Sequence, residues 1–514
     1  MRLKLENFSL SGINDKNRSA LINCDVSWDE AWKNEINCDG VWLFAKYRIG
    51  EGLWKHVELK SKSSRDFDYK DQTPADFSTG KETSGAQTGI WVPETKKGMF
   101  IFRTSGEGNI RLKNLQLCWD YAGEGLSDEV KNAQVMVFGV EMAYIPQDKH
   151  FVGDPVGADG PKNCLYKYPD KGAYLIDSET EIRLAAEDGC LYCDQDNDRS
   201  RDEVPFVIPK EFPKGYRAFW YMKYSLNSRQ YVDFLNALTR VQQRERVLSD
   251  ISTDEIKNYY VMTNTNTESL RQTIVCTQKN NGTEKPIKFY TYAPARACNA
   301  IKWGDIAAFA CWSGLRPVTE LEFEKACRGP KEAVPSECAW GSTEIGRVDT
   351  FDGPDGSGYE IKVPTTGLVN CCLGGAIAPF EAAAGKTVSS NPGFEGPVSC
   401  GLFSNTRHPG IPKRINDGAS YYGVCELSGN LWEPVVTFGN PAGRAFQPVH
   451  GTGTLDEKGN AVVKGWPDAG GAGAGVRGGV YRSPDASYVA VALRFAAAHT
   501  KAERRFNGGC RVGY

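Results

Sequence analysis

The 514-residue sequence has no run of about 18 apolar residues, the length that crosses a bilayer, so no membrane span is expected. It has no charge excess either: 61 Lys and Arg stand against 64 Asp and Glu, for a net charge of −3. The basic stripe of a nucleic-acid binder is missing, and nucleic acid is not expected as a partner. The opening MRLKLENFSLSG lacks the apolar core of a secretory signal. Histidine is scarce, with only His56, His150, His408, His450 and His499, and no pair has helical metal-ligand spacing. Between Val480 and Asn507 there is no cysteine at all.

Elsewhere cysteine is plentiful. The sixteen are scattered along a chain long enough to fold without staples, so most are expected as buried free thiols. Cys190-Leu-Tyr-Cys193 is a lone CxxC with no second pair, which supports neither zinc nor redox work strongly. Abundant Gly and aromatics give a loop-rich, strand-leaning globular profile, and the length sets a prior of two or three domains.

Residues 1–145 read as all-β. Ile22–Val26 alternates apolar and polar side chains, and Val41–Ile49, Trp54–Leu59, Met99–Arg103, Ile110–Trp119 and Val135–Ile145 are period-two or largely apolar runs between turn residues. Several short strands with regular turns predict a β-sandwich. With no catalytic cluster, it reads as a structural or docking module. Pro146 marks the boundary to a second domain, 146–514. The acidic knot Asp194, Asp196, Asp198 and Asp202 could converge on a hard cation, but Arg199 replaces the favoured Gly and no Glu follows at the twelfth position, so a solvated loop is the competing reading.

Ser228 reads as an N-cap for a helix whose Tyr231, Phe234, Leu235 and Leu238 share one face. Residues 240–295 are polar and poorly periodic and read as a surface insertion. Trp303–Trp312 is helical in pattern and stops at Gly314. Thr319 with Glu322 fits a capping box for the next helix. Residues 353–414 read as long ordered loop. Leu427-Ser-Gly-Asn-Leu-Trp-Glu433 is a turn around Trp432, expected with Trp312 in the core. The chain closes with Gly-rich residues, Arg477-Gly478-Gly479, an alternating apolar segment and Gly509-Cys510-Arg511.

Five of these segments, in this order, resemble the formylglycine-generating enzyme family, or sulfatase-modifying-factor domain: Phe219–Leu238, Trp303–Trp312, Gly314–Arg328, Leu427–Glu433, and Arg477-Gly-Gly with the closing Gly-Cys-Arg511. The resemblance covers about residues 142–514. It implies an α+β class overall, with a C-type-lectin-like fold in the C-terminal domain, often calcium-supported. It makes Asn430 and Glu433 side-chain ligands for calcium; the alternative is a turn Asn and a surface Glu.

In the enzyme, two thiols shortly after the Arg-Gly-Gly bind copper. The matching positions here fall near Ser483 and Tyr488, so neither soft ligand remains, no copper is expected and oxidase chemistry is disfavoured. A branch of the fold that holds iron through histidines would need His408, His450 and His499 to meet in space. What remains resembles the variable proteins of diversity-generating retroelements, bacterial or phage proteins that exchange side chains on a lectin-like scaffold. By that resemblance, segment 477–514 displays a ligand-binding surface. The candidate residues are Val480, Tyr481, Arg482, Ser483, Asp485, Phe495, His499, Lys501, Arg504, Arg505 and Phe506. Arg494, within the same segment, is expected as scaffold instead, since the family keeps an Arg in that area. The expected function is non-catalytic binding of a protein or glycan on another cell or particle; the alternative is a metal-dependent oxidoreductase.

Overall fold

The computed structural model describes residues 3–60, 81–155, 164–193, 205–363, 367–374, 395–406, 408, 410–483, 486–497, 504 and 506–514. The acidic knot at 194–202 lies outside them. The chain mixes helices with a larger share of strand, in keeping with the α+β class.

Two antiparallel sheets begin the chain. One orders Lys4–Asn14, Ser19–Lys33, Gly106–Asp120 and Lys81–Glu82; the other orders Phe219–Met222, Ala133–Ile145, Asp39–Ile49, Met99–Arg103 and Thr88–Trp91, with Lys55–His56 paired to Asp39–Ile49. The first strand, Lys4–Asn14, carries no period-two apolar pattern because nearly all of it is exposed. Ile22, Val26 and Trp28 from the first sheet and Val41, Leu43, Ala45 and Ile101 from the second bury one shared apolar cluster.

The near-continuous apolar run of Asp39–Ile49 has a second cause. Alternate residues of a strand face opposite ways, and here both faces are covered. Trp42 and Phe44 point away from the first cluster into a larger one with Phe309 and Trp312. Trp42 Nε1 donates to Ser313 O at 2.9 Å, and Phe44 meets Trp312 edge-on at 5.0 Å. The N-terminal module therefore has a structural part in the fold. Its second sheet is a packing wall for the helical part, and strand Phe219–Met222, from beyond the expected boundary at 146, extends that sheet in register with Met142–Ile145.

Lys46 stands on the same face. Its buried ammonium donates to Trp312 O at 2.6 Å and Gly453 O at 2.9 Å and contacts His56 Nδ1 at 2.8 Å. Burial holds its pKa well below the ordinary lysine value. The Trp312 carbonyl belongs to the last turn of a helix, where a cation is favoured.

The helix Ser228–Asn236 is capped by Asn227, not Ser228: Asn227 Oδ1 accepts from Gln230 N at 2.9 Å and Gln230 Oε1 accepts from Asn227 N at 3.2 Å. The capping-box signature simply sits one residue earlier, with Gln at its third position. Trp303–Ser313 closes at Gly314, at φ +76°. Glu320–Arg328 starts with the expected reciprocal box, Thr319 Oγ1 accepting from Glu322 N and Glu322 accepting from Thr319 N. Residues 240–295 are more than surface: Ile251, Ile256, Val261, Met262, Ile274, Ile287 and Phe289 are buried in the large core. Their apolar residues come from a hairpin (Ile274–Cys276 with Phe289–Thr291) and irregular turns, which leave no helical or strand period to read.

The closing residues lie against the second sheet's edge. Met222 N donates to Val512 O at 3.1 Å, and Trp220 and Tyr514 exchange N–H···O bonds at 2.9 and 2.8 Å. This pins the far end of segment 477–514.

Candidate functional site

Strand Ala474–Arg477 pairs with Glu433–Val436, Glu433 lying opposite Arg477. The chain then turns through Gly478 (φ +83°) and Gly479 (φ +70°). A Cβ on Gly478 would lie 2.4 Å from Leu427 O, and one on Gly479 2.4 Å from Tyr488 O. Only glycine fits this close approach in the left-handed region.

Beneath the turn lies a fully buried charge network. Arg477 pairs with Glu320 Oε2 at 3.2 Å and Glu324 Oε1 at 2.6 Å and also donates to Val491 O at 2.7 Å. Arg494 holds Glu320 through Nε to Oε2 at 2.6 Å and Nη2 to Oε1 at 3.0 Å. Arg328 joins Glu324 to Glu337. Three guanidiniums thus face three carboxylates, and the neighbouring guanidiniums hold Glu324 below the ordinary carboxylate range despite its burial. Arg494 is scaffold, as expected from the sequence. Buried pairs of this kind fix geometry more surely than they add stability.

Above the network the segment forms a shallow cavity of about 170 Å³, walled by Trp432, Arg482, Ser483, Tyr488, Phe495 and Asn507. Tyr488 and Phe495 are each 38% exposed and meet edge-on at 6.1 Å. Phe506, next to Asn507, is 39% exposed, and Arg482 is exposed too, 3.8 Å from Glu395.

The predicted surface residues therefore divide. Arg482, Phe495 and Phe506 are displayed. Val480, Tyr481 and Ser483 are buried: Ser483 Oγ accepts from Val480 N at 2.8 Å, tightening the turn, and Tyr481 packs with Val398, Cys400 and Leu431. Arg504 is tied down through Asp305 Oδ2 at 2.5 Å and Ala300 O at 2.7 Å. These four are held as scaffold, a correction with two physical causes: Val480 and Ser483 close a local turn on each other, and Tyr481 and Arg504 meet partners distant in sequence. Asp485, His499, Lys501 and Arg505 lie outside the described residues. Trp432 is half-buried at the cavity wall and not in the core, whereas Trp312 is core. Tyr488 and Trp432 were not singled out as binding residues from the sequence; the available signal was an aromatic three positions after Gly429 and another nine after Gly479.

The metals implied by the resemblance meet unsuitable donors. At the copper positions stand Ser483, whose hydroxyl is engaged, and Tyr488, a phenol; no thiol lines the cavity. Soft Cu(I) is not held by such oxygens. For calcium, Asn430 Oδ1 already accepts from Val398 N at 3.0 Å, and Glu433 Oε1 from Arg511 Nη2 at 2.9 Å. Arg511 already supplies a positive charge to Glu433, of which only Oε2 has no hydrogen-bond partner, and a hard cation needs several oxygens. Among the described residues no group of three or more His, Cys, Asp or Glu could hold a metal, and His450 is stacked on Tyr514 at 3.9 Å. Chelator treatment of the purified protein is expected to leave its melting temperature unchanged. A drop on calcium removal, reversed by calcium, would restore Asn430 and Glu433 as ligands by linkage.

The family described as Sulfatase-modifying factor enzyme 1-like domain matches residues 187–511. No curated protein matches the chain.

Proposed function

Because the chain belongs to the sulfatase-modifying factor enzyme 1-like family, we propose that it is a non-catalytic, ligand-binding member whose C-terminal segment presents an exchangeable surface on a C-type-lectin-like scaffold. The observation that carries this reading is the division just described. Arg482, Tyr488, Phe495 and Phe506 are exposed above a backbone that Arg477, Arg494 and Arg504 anchor to buried carboxylates. Exposed side chains over a fixed backbone can be exchanged at little cost in stability. Arg and aromatic side chains around a shallow bowl also suit a protein partner, since they dominate interface energetics.

The test is genetic. Under this reading the encoding locus carries a near-copy of the gene's 3′ end beside a reverse transcriptase, with differences mainly at adenines. Those differences should fall on codons 482, 488, 495 and 506 and spare 477, 478, 479, 494 and 504. A locus with neither the near-copy nor the reverse transcriptase removes the diversification reading. Differences that strike the anchoring arginines remove the division into scaffold and surface.

A further inference from the structure

A second cavity is lined by residues distant in the chain from the C-terminal bowl. It is a cleft of about 760 Å³ between strand ends of the first sheet (residues 30–37 and 106–109) and residues 413–425. Clefts for small ligands occupy about 300–1,000 Å³. We infer that this cleft binds a neutral oligosaccharide.

Its walls are preformed. Trp32 Nε1 donates to Asn37 Oδ1 at 3.3 Å, and Asn37 Nδ2 donates to both Tyr144 O and Tyr422 O at 2.9 Å. One buried amide thus ties the tip of the first sheet to the second sheet and to the loop. Gly423 (φ +79°) lets the Trp32 ring close on that loop, since a Cβ there would stand 2.7 Å from the ring. A wall held this way loses little entropy on binding.

The lining has the chemistry of a sugar site. Trp32, Tyr224 and Tyr421 supply ring surface, and C–H-rich sugar faces pack on such rings while hydroxyls reach polar neighbours. Asn109, Glu30 and Glu107 stand exposed at the mouth; Asn109 Oδ1 accepts from Glu30 N at 3.3 Å, which leaves the Asn109 Nδ2 and the two carboxylates to meet hydroxyls. Charge argues against an anionic ligand. Lys223 is neutralised by Asp39 at 3.0 Å and its ammonium lies 4.4 Å from the Trp32 ring centre. Lys413 is paired with Asp417, and Arg414 Nη2 donates inward to Cys327 O at 3.1 Å and Ala339 O at 2.8 Å. Of the four lining cations, Lys223 and Lys413 are matched by carboxylates, Arg414 is engaged by carbonyls, and Lys33 lines the cleft as well, while the two carboxylates of Glu30 and Glu107 stand at the rim. An anion would meet those first. A purely apolar ligand would leave the same polar groups desolvated and unpaired.

The test is calorimetric titration of the full chain with maltotriose, cellotriose and chitotriose. At least one is expected to bind one-to-one, with little dependence on salt. Tyr421→Ala is expected to weaken that binding about tenfold or more, and Asn109→Ala, at an exposed side chain, to weaken it without disturbing the fold. Phe495→Ala, in the C-terminal bowl, is expected to leave it unchanged, which separates this site from the display surface. The inference is overturned if none of the three saturates at millimolar concentration, or if folded Tyr421→Ala and Asn109→Ala proteins both bind like the parent. It is also overturned if Phe495→Ala abolishes the binding.

Discussion

Replacing Glu320 by Ala is expected to destabilise the protein by about 3–5 kcal/mol, the cost of leaving buried charge uncompensated. Glu320 is wholly buried at the first turn of helix Glu320–Arg328, where the helix dipole favours a carboxylate. Besides Arg477 and Arg494 it accepts from Thr437 Oγ1 at 2.8 Å and Phe438 N at 3.2 Å. The substitution removes the carboxylate that Arg494 and Arg477 share, leaving Arg477 with Glu324 and the Val491 carbonyl. Urea denaturation checks the number. The same mechanism makes a further demand: Glu320→Ala combined with Arg494→Met should recover part of the loss, because one orphaned charge goes with its partner. Strict additivity of the two substitutions would show that the network is not electrostatically coupled. A partner of the C-terminal bowl should be lost with Glu320→Ala even where the protein stays folded, since Arg477 and Arg494 position both ends of the displayed loop.

This network shows what a sequence hides. Arg494 and Glu320 lie 174 residues apart, and no local period or propensity reports such a pairing. The same holds for Arg504 and Asp305. Reading Val480–Phe506 as a surface from residue type therefore overcounted: Val480, Tyr481, Ser483 and Arg504 look exchangeable in a list and are fixed in space. Features governed by neighbours in sequence were legible. The Thr319–Glu322 box, the Gly314 stop and most strands of the first 145 residues are local, and the structure has them. The family was legible because its motifs combine short turns with buried aromatic and charged residues. The double burial of Asp39–Ile49 was half visible, since its apolar run exceeds what one covered face requires. Lys46 within that run was the exception to explain, and its explanation, two carbonyls and an imidazole, comes from residues up to 407 positions away.

Glu426→Gln is expected to stabilise the protein by about 3 kcal/mol above pH 7 and by nothing below about pH 4.5. Glu426 is buried, and burial first, with Glu433 adding, pushes its pKa up to about 7, against the pull of the Gly401 N–H and Arg511. The unfolded chain ionises this group near 4.5, so between 4.5 and 7 the folded state holds the extra proton. Stability from this group is therefore complete at low pH and declines as pH rises, and the amide escapes the decline. Three histidines act in the opposite sense. Burial holds His56 and His150 well below 6.5, with Lys46 beside the first and Lys325 and Arg328 beside the second, and it lowers His450 to about 3 with Arg316 adding. The unfolded chain takes up their protons first as pH falls below 6.5, so each removes up to about 1.4 kcal/mol per pH unit. Asp154, raised to about 6 by burial, joins Glu426 in offsetting them through the middle of the range. Three histidines against two carboxyls leave a net loss of about 1.4 kcal/mol per pH unit between pH 6 and 4.5. Below that range first Glu426 and then Asp154 is protonated in the folded and unfolded states alike, and the fall steepens. In Glu426→Gln the fall between pH 6 and 4.5 should be about twice as steep, because one offsetting proton is gone. Equilibrium urea unfolding at pH 8, 6 and 4.5 distinguishes these outcomes. A stability difference between the two proteins that is the same at all three pH values would mean that Glu426 ionises normally in the fold, with Arg511 shared equally between it and Glu433.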